Sequence, residues 1–468
     1  MDKLYYFPQK IAGRAIIAYF LLLLIVSMLF LSHVLQFQFM LFGLFAVVFF
    51  FGLSTKLTLN WQTASPESFS KRLFLLAVIV RLLYVVFVYI YYIHMTGVPH
   101  AFQAMDELFY EYVGTLWHDE GVDVLFAELP LYTDISDRGY CVWLSFENFI
   151  FGTGALPHRI IKCFIDALTC VLIYHLASRN FGESTGRMAA IFCMLMPNFW
   201  YYCGVTLKET EMVFLTVLFV ERADYLLRTP RFQIKNLIIP VLVILIMFTF
   251  RTALAAVLVI ALFVSFIIGS GRQLAMWKKV LYSIVFASLL IFTVRVEVMQ
   301  EIEDLWSGRS GQEANMEWRA QSETGNSLAR YAGAAVFAPL IFTIPFPTMV
   351  DIPGQENQMM LNGANFVKNV MSGFTIFALF LLLFRREWRK HVLPLAVMGG
   401  YLFVLVFSNF AQSERFHLPA LPFELMFAAY GISQLQAKHR TWFNIWLIVI
   451  CIANIGWAWF KLAGRGLA

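Results

Sequence analysis

The chain has 468 residues, of which 60% are hydrophobic and 14% charged. An ordinary soluble domain carries about 45–50% apolar and about 25% charged residues. This chain therefore cannot cover a globular surface with polar groups, which excludes a soluble enzyme, a disordered regulator and a secreted disulfide scaffold. The formal net charge of +5 comes from basic residues scattered between apolar runs, not from a patch that could follow a nucleic-acid backbone.

A membrane-spanning helix needs about 20 apolar residues, somewhat fewer inside a bundle. Apolar runs fall at 14–35, 38–53, 73–95, 160–178, 187–205, 210–227, 236–250, 253–270, 279–296, 366–384, 392–408, 417–436 and 441–460. The first resembles a signal peptide in having Lys3, Lys10 and Arg14 before it, but it is long and no small-residue cleavage site follows, so it reads as a retained helix. Segments 1–14, 54–72, 179–187, 222–235, 271–279, 385–390 and 437–440 carry excess Lys and Arg, as cytoplasmic loops do. They alternate with acidic or weakly basic segments if the short run 331–347, which ends in Pro345 and Pro347, does not cross. That run then reads as a re-entrant or interfacial helix. The expected fold is an all-α polytopic membrane protein of about thirteen transmembrane helices, with two large outer loops at 96–158 and 297–365. Lys461 and Arg465 at the outer end of the last span are a mild departure from the charge rule. The six cysteines form no CxxC pair and mostly lie in apolar runs, as small hydrophobes do.

The first outer loop is rich in carboxylates. At its start Met105, Leu108, Phe109, Tyr112 and Leu116 recur at helical spacing, so 104–117 reads as an amphipathic helix on the outer membrane surface. Asp106 and Glu107 occupy its first turn. Carboxylates there suit a helix N-terminus; they also suit a base at the lipid–water boundary that takes a proton from a hydroxyl. Ionisable residues in or beside spans are costly in lipid and are functional candidates. Lys208, Glu209 and Glu211 lie in VTLKETEMVF, Arg251 in FTFRTAL, and Glu414, Arg415 and His417 in SERFHLPALP. The topology puts all of them on the same face as Asp106. Snorkelling at helix ends accounts for each alone; together, an acid and two arginines at one surface suit a phosphate-bearing lipid. Neither arginine has an acid at helical spacing that must pair with it, although Glu414 adjoins Arg415. Arg81, mid-span, must face the bundle interior or a polar partner. His33, His94, His118 and His175 lack ligand spacing.

The order of these features resembles the membrane module of the GT-C glycosyltransferase superfamily, nearest to the bacterial relatives of protein O-mannosyltransferases and lipid A aminoarabinose transferases. The likeness runs over about 73–270. MDELFYEY matches an acidic pair opening the first outer loop. RGYCVWLSFENFIFG at 138–152, the Arg-led span 155–182, the Pro-containing MLMPNFWYYCGVTLKET at 194–210, Arg251 and SERFHLPALP at 413–422 follow in the family's order. The hairpin 14–53 looks like an addition, and 297–365 matches no part of the family. The resulting divisions are 1–72, an N-terminal hairpin and cytoplasmic loop; 73–296, the catalytic module; 297–365, the second outer loop; and 366–468, the C-terminal helices.

The resemblance implies an inverting glycosyltransferase of the bacterial inner membrane, with its active site facing the periplasm. Its donor would be a polyprenyl-phosphate sugar, and its acceptor a hydroxyl on a glycan, lipid or protein. Asp106 would be the catalytic base and Glu107 would orient it or bind acceptor. Arg251, Arg415 and Lys208 would hold the donor phosphate as it leaves, and Glu209, Glu211 and His417 would bind substrate. The scheme needs no cofactor, although Glu209 and Glu211 could bind a divalent metal. A polysaccharide polymerase or ligase is an alternative, kept open by His417 beside Arg415. A lipid or solute transporter is another, disfavoured because most charges gather at one surface rather than at the bilayer midplane.

Overall fold

The structure is a computed structural model that describes residues 5–228, 234–268, 339–408, 411–436 and 439–467, with Ile284 and Ser288 between them. The expected span 279–296 and the greater part of the loop 297–365 lie outside the described residues. The described helices are α1 (Gln9–Leu29), α2 (Phe37–Asn60), α3 (Pro66–Thr96), α4 (Met105–Glu120), α5 (Val122–Tyr132), α6 (Ile135–Phe151), α7 (Ala155–Phe181), α8 (Glu183–Leu195), α9 (Pro197–Cys203), α10 (Glu209–Arg228), α11 (Ile234–Phe250) and α12 (Thr252–Ile268). They continue with α13 (Glu356–Met360), α14 (Asn362–Phe384), α15 (Val392–Phe407), α16 (Glu414–His417), α17 (Leu421–Ser433) and α18 (Arg440–Ala463). Among the described residues there is no strand, only an isolated bridge between Val34 and Val350.

The chain is an all-α, multi-pass membrane protein. Seven of its described helices are long and apolar enough to cross a bilayer, and 237–250, 252–268 and 421–433 are shorter apolar helices. α3 shows how the sequence specifies one of them. Ser65 caps its start by accepting the Ser68 N–H at 3.3 Å, Pro66 stands in the first turn, and Gly97, at φ +79°, ends it in the left-handed conformation. Phe69, Leu73, Ala77, Arg81, Val85, Val88 and Tyr92 form its buried stripe, while Leu75, Ile79, Leu83 and Ile90 are exposed. An apolar face turned outward beside a stripe that holds an arginine inward is the arrangement a lipid solvent demands.

Arg81 pairs with Asp166 of α7 and donates to the carbonyls of Met194 and Cys193 at 3.2 and 3.4 Å. Those carbonyls lie just before Pro197, which has no N–H to offer the turn behind it. The expected span 187–205 is accordingly two helices, α8 and α9, broken at Met196, and Arg81 satisfies the freed backbone. At the α2–α14 crossing the backbones nearly touch: a Cβ on Gly363 would lie 2.3 Å from the Gly43 carbonyl oxygen. Tyr19 donates to Asn362 beside this contact.

Contacts sort the connecting segments into two ends. One, the loop end, collects 30–36, 97–154, 204–208, Arg251, 339–361, 411–420 and the end of α18. Asp351 N–H bonds the His33 carbonyl at 3.0 Å, Asn357 bonds the Phe102 carbonyl, and Lys461 bonds Thr348, Gln355 at 2.9 Å and Gln358 at 2.7 Å. Lys461, the charge-rule exception, is thus held by three oxygens. The opposite end collects 60–65, 179–187, 221–228 and 385–391. In the run 331–347, residues 331–338 lie outside the described residues, and the remainder corrects the helix reading. From 341 to 350 the chain is turn and extended backbone, buried at Ile341, Ile344, Phe346, Met349 and Val350. Pro345 and Pro347 cannot donate to a helix ladder. Lys368 and Asn369 of α14 instead bind the carbonyls of Ile344, Thr343 and Pro345, and irregular backbone at this depth requires such partners.

Candidate functional site

The helix α4 lies across the loop end. Met105, Leu108 and Tyr112 are exposed on its outer face, and Glu107, Tyr110 and Val113 are buried beneath it. Phe126 and Leu131 of α5 and Phe146, Phe149 and Phe151 of α6 extend the exposed apolar surface. Exposed rings and aliphatic chains along three short helices suit the headgroup boundary.

Consecutive residues on a helix are about 100° apart, so Asp106 and Glu107 face different ways. The Asp106 side chain is 57% exposed and accepts from Nη1 of Arg415. The Nε of the same guanidinium donates to Glu209, whose carboxylate is 1% exposed and whose other oxygen has no partner. Three segments far apart in sequence thus meet in one contact. Neither partner stands at helical spacing from Arg415: they come from α4 and α10, where local spacing cannot reveal them.

Arg251, at the α11–α12 turn, stacks over Phe416, with its guanidinium carbon 4.3 Å from the ring centroid. Phe416 follows Arg415, so the two arginines flank one corner. Lys208 pairs with Asp137 and donates to the Ser136 carbonyl at 2.7 Å, and Tyr110 donates to Asp137 at 2.7 Å. Burial alone would raise the Asp137 carboxyl, but the charge and hydrogen bond of Lys208, the Tyr110 hydrogen bond and the Arg251 charge together hold it below the usual carboxylate range.

The other expected site residues face elsewhere. Glu107 accepts the backbone N–H groups of Thr206 at 3.2 Å and Ala101 at 3.3 Å, and it meets Arg159 at 3.5 Å. It ties α4 to the α9–α10 turn. Burial pushes its carboxyl up, against the pull of Arg159 and His100. Glu211 faces Lys162 at 3.9 Å, inside the bundle. His417 is buried between the Ala411 carbonyl at 2.7 Å and Lys368 at 2.8 Å.

Beneath α4 lies a buried polar cluster that sequence reading missed. The Nδ1 atom of His158 is 2.5 Å from Glu147 and its Nε2 atom 2.9 Å from Asn148 Oδ1. Asn148 donates to the Gly114 carbonyl, so its oxygen faces His158 and calls for a proton on Nε2. The Nδ1 atom then accepts from a protonated Glu147, whose pKa burial pushes up to about 8 despite Lys162 nearby. Lys162 donates to the carbonyls of Val205 and Leu207. Arg159 is 0% exposed, yet its Nε and Nη1 have no partner. A sequence signal existed: Arg159, Lys162 and Asp166 stand at i, i+3 and i+7, which is one face of a helix.

Among the described residues, no group of three or more His, Cys, Asp or Glu is placed to hold a metal ion. Glu209 is engaged by Arg415 and Glu211 faces Lys162. No protein-family model matches the chain, and no curated protein matches it.

Proposed function

We propose that the chain is an inverting, polyprenyl-phosphate-sugar-dependent glycosyltransferase of the GT-C kind. The observation that carries this reading is the meeting of Asp106, Glu209 and Arg415 at one corner of the loop end, with Arg251 stacked alongside. Asp106 is exposed enough to meet an acceptor and borders the apolar face of α4. Its carboxylate takes the acceptor proton as the hydroxyl oxygen bonds to the anomeric carbon. The bond from that carbon to the phosphate oxygen breaks, and the phosphate leaves with added negative charge. Arg415 and Arg251 stand where they stabilise that charge. One base and one leaving phosphate give a single displacement, hence inversion. Glu107 supports this site by fixing the start of α4 to the turn that carries Glu209. On this reading the loop end faces the periplasm of a bacterial inner membrane, and the basic opposite end faces the cytoplasm. About thirteen crossings belong to this reading.

The test is mass spectrometry of cell-envelope glycolipids and glycans with and without the gene, and with Asp106→Asn in its place. A glycan should lose one sugar increment in both altered strains, with a polyprenyl-phosphate sugar accumulating. Unchanged envelopes, or full rescue by folded Asp106→Asn, would overturn the assignment.

A further inference from the structure

Arg415 offers two edges to an anion. A side-on pair uses Nε with one terminal nitrogen, and an end-on pair uses Nη1 with Nη2. In the resting protein Glu209 occupies Nε and Asp106 occupies Nη1, while Nη2 makes no hydrogen bond among the described residues. A phosphate on the end-on edge therefore competes with Asp106 for Nη1, and one on the side-on edge competes with Glu209 for Nε. The two are unequally held. Glu209 is 1% exposed, and an unpaired carboxylate left there would stand uncompensated in the protein interior. Asp106 is 57% exposed and water solvates it at once on release.

Resting on the glycosyl-transfer reading, we propose that Asp106 is a latch on the donor site: Arg415 holds it until a lipid-linked phosphate takes its place, and Glu209 is the positioning residue that keeps the guanidinium aimed during the exchange. The same displacement frees the Asp106 carboxylate to accept a proton. Donor binding thus precedes base activation, and the base stays masked by Arg415 while no phosphate is present. The order protects the sugar phosphate, because acceptor deprotonation waits for the leaving group to be gripped.

The sign of the effect of Asp106→Asn tests this. The full chain in lipid nanodiscs is titrated with polyprenyl phosphate, and binding is read by native mass spectrometry. Asp106→Asn replaces a charge-assisted partner of Nη1 with a neutral one, so polyprenyl phosphate should bind roughly tenfold tighter. Glu209→Gln should bind severalfold weaker, because the guanidinium loses its anchor. Simple relief of negative charge would tighten both variants, and that result overturns the proposal. In an Arg415→Lys background the gain from Asp106→Asn should vanish, whereas a general charge effect would persist; this arm stands even if Glu209→Gln fails to fold. Equal or weaker binding by Asp106→Asn also overturns the latch, while leaving the glycosyltransferase reading in place. If the wild-type chain binds no polyprenyl phosphate, the glycosyltransferase reading falls and the latch with it.

Discussion

Arg187 at the opposite end and Arg159 at the loop end are both buried arginines near the start of a helix, and their surroundings differ sharply. Arg187 donates to the carbonyls of Trp61 at 2.6 Å, Gln62 at 2.9 Å and Ala64 at 2.7 Å, pairs with Glu183 at 2.8 Å, and lies over the Phe69 ring. Arg159 has one contact, at 3.5 Å, and two unpartnered nitrogens. Their neighbours differ less. At the opposite end Arg179 meets Glu221 and Asp224, and Arg228 meets Asp224, Asn180 and the Lys390 carbonyl. At the loop end Glu209 and Glu211 each keep an oxygen without a hydrogen bond, and Asp106 stands open to water; at the opposite end Glu221 Oε2 also lacks one, but Arg222 Nε lies 3.2 Å from it. A buried charge that is fully matched serves the fold; one left partly unmatched costs stability and is retained where chemistry uses it. On the proposed reading the opposite end is a clasp and the loop end a site.

The sharpest way to break this contrast is Asp106→Asn. On the catalytic reading the rate falls by roughly 10²–10⁴ in protein that remains folded and inserted. Thermal unfolding should barely move, because the side chain is exposed. Full activity would reduce Asp106 to a helix-start carboxylate, and the loop end would lose its claim to be different.

At the clasp the expected pattern is reversed. Arg187→Ala removes three part-buried hydrogen bonds to carbonyls at the α2–α3 turn and opens the packing there. The cost should be on the order of 3 kcal/mol, read as a lower unfolding midpoint in detergent. Turnover per folded molecule should stay within about twofold of wild type if this end serves only the fold. A larger fall in turnover with unchanged stability would show that the two ends are not separate in role.

How much of this contrast the sequence reveals depends on the distance between partners. The length of an apolar run reveals α1 and α3, and periodicity the amphipathic α4, because each signal lies within one segment. Charge alternation groups the basic segments that the contacts gather at one end. The convergence of Asp106 with Arg415 was legible only as a shared face, because 309 residues separate them. That Glu209 grips Arg415 was not legible, nor was the service Arg81 gives to the carbonyls before Pro197. The cluster of Glu147, His158 and Lys162 was overlooked for another reason. Its basic members stand where the chain enters a span, which by itself accounts for charge there, and Glu147 is one of many loop carboxylates. Helical phase on α7 places them inward, and only the packing of α6 on α7 brings Glu147 to His158.

That cluster makes a smaller prediction about pH. The Glu147 carboxyl rises from an ordinary value of 4.5 to about 8 in the folded protein. Between those values the folded state holds a proton that the unfolded state has released. The contribution of this group is therefore greatest below the lower value and is lost as the pH rises toward the upper one. The unfolding midpoint of wild type should fall by a few degrees across that window relative to Glu147→Gln. The amide resembles the protonated acid and donates to His158 at every pH. Parallel midpoints for the two proteins would mean that Glu147 is already ionised.

The smallest expected effect separates the two arginines of the site. Arg415 grips its partners through two nitrogens, whereas Arg251 touches the corner through the Phe416 face at 4.3 Å. Lysine keeps the charge of either but cannot present a fork, and it is a compact, strongly hydrated cation that stacks less well on a ring. Arg415→Lys should therefore weaken donor use by roughly tenfold, since a charge-assisted hydrogen bond contributes about 1.5–3 kcal/mol and only part of it survives. At Arg251 the loss is confined to stacking and aim. A cation over an aromatic face contributes about 0.5–1 kcal/mol at such a site, so Arg251→Lys should raise the donor requirement about threefold, with acceptor dependence unchanged. Donor titration on the purified variants measures both. A larger effect at Arg251 than at Arg415 would move the phosphate toward the α11–α12 turn and make Arg415 chiefly the keeper of Asp106.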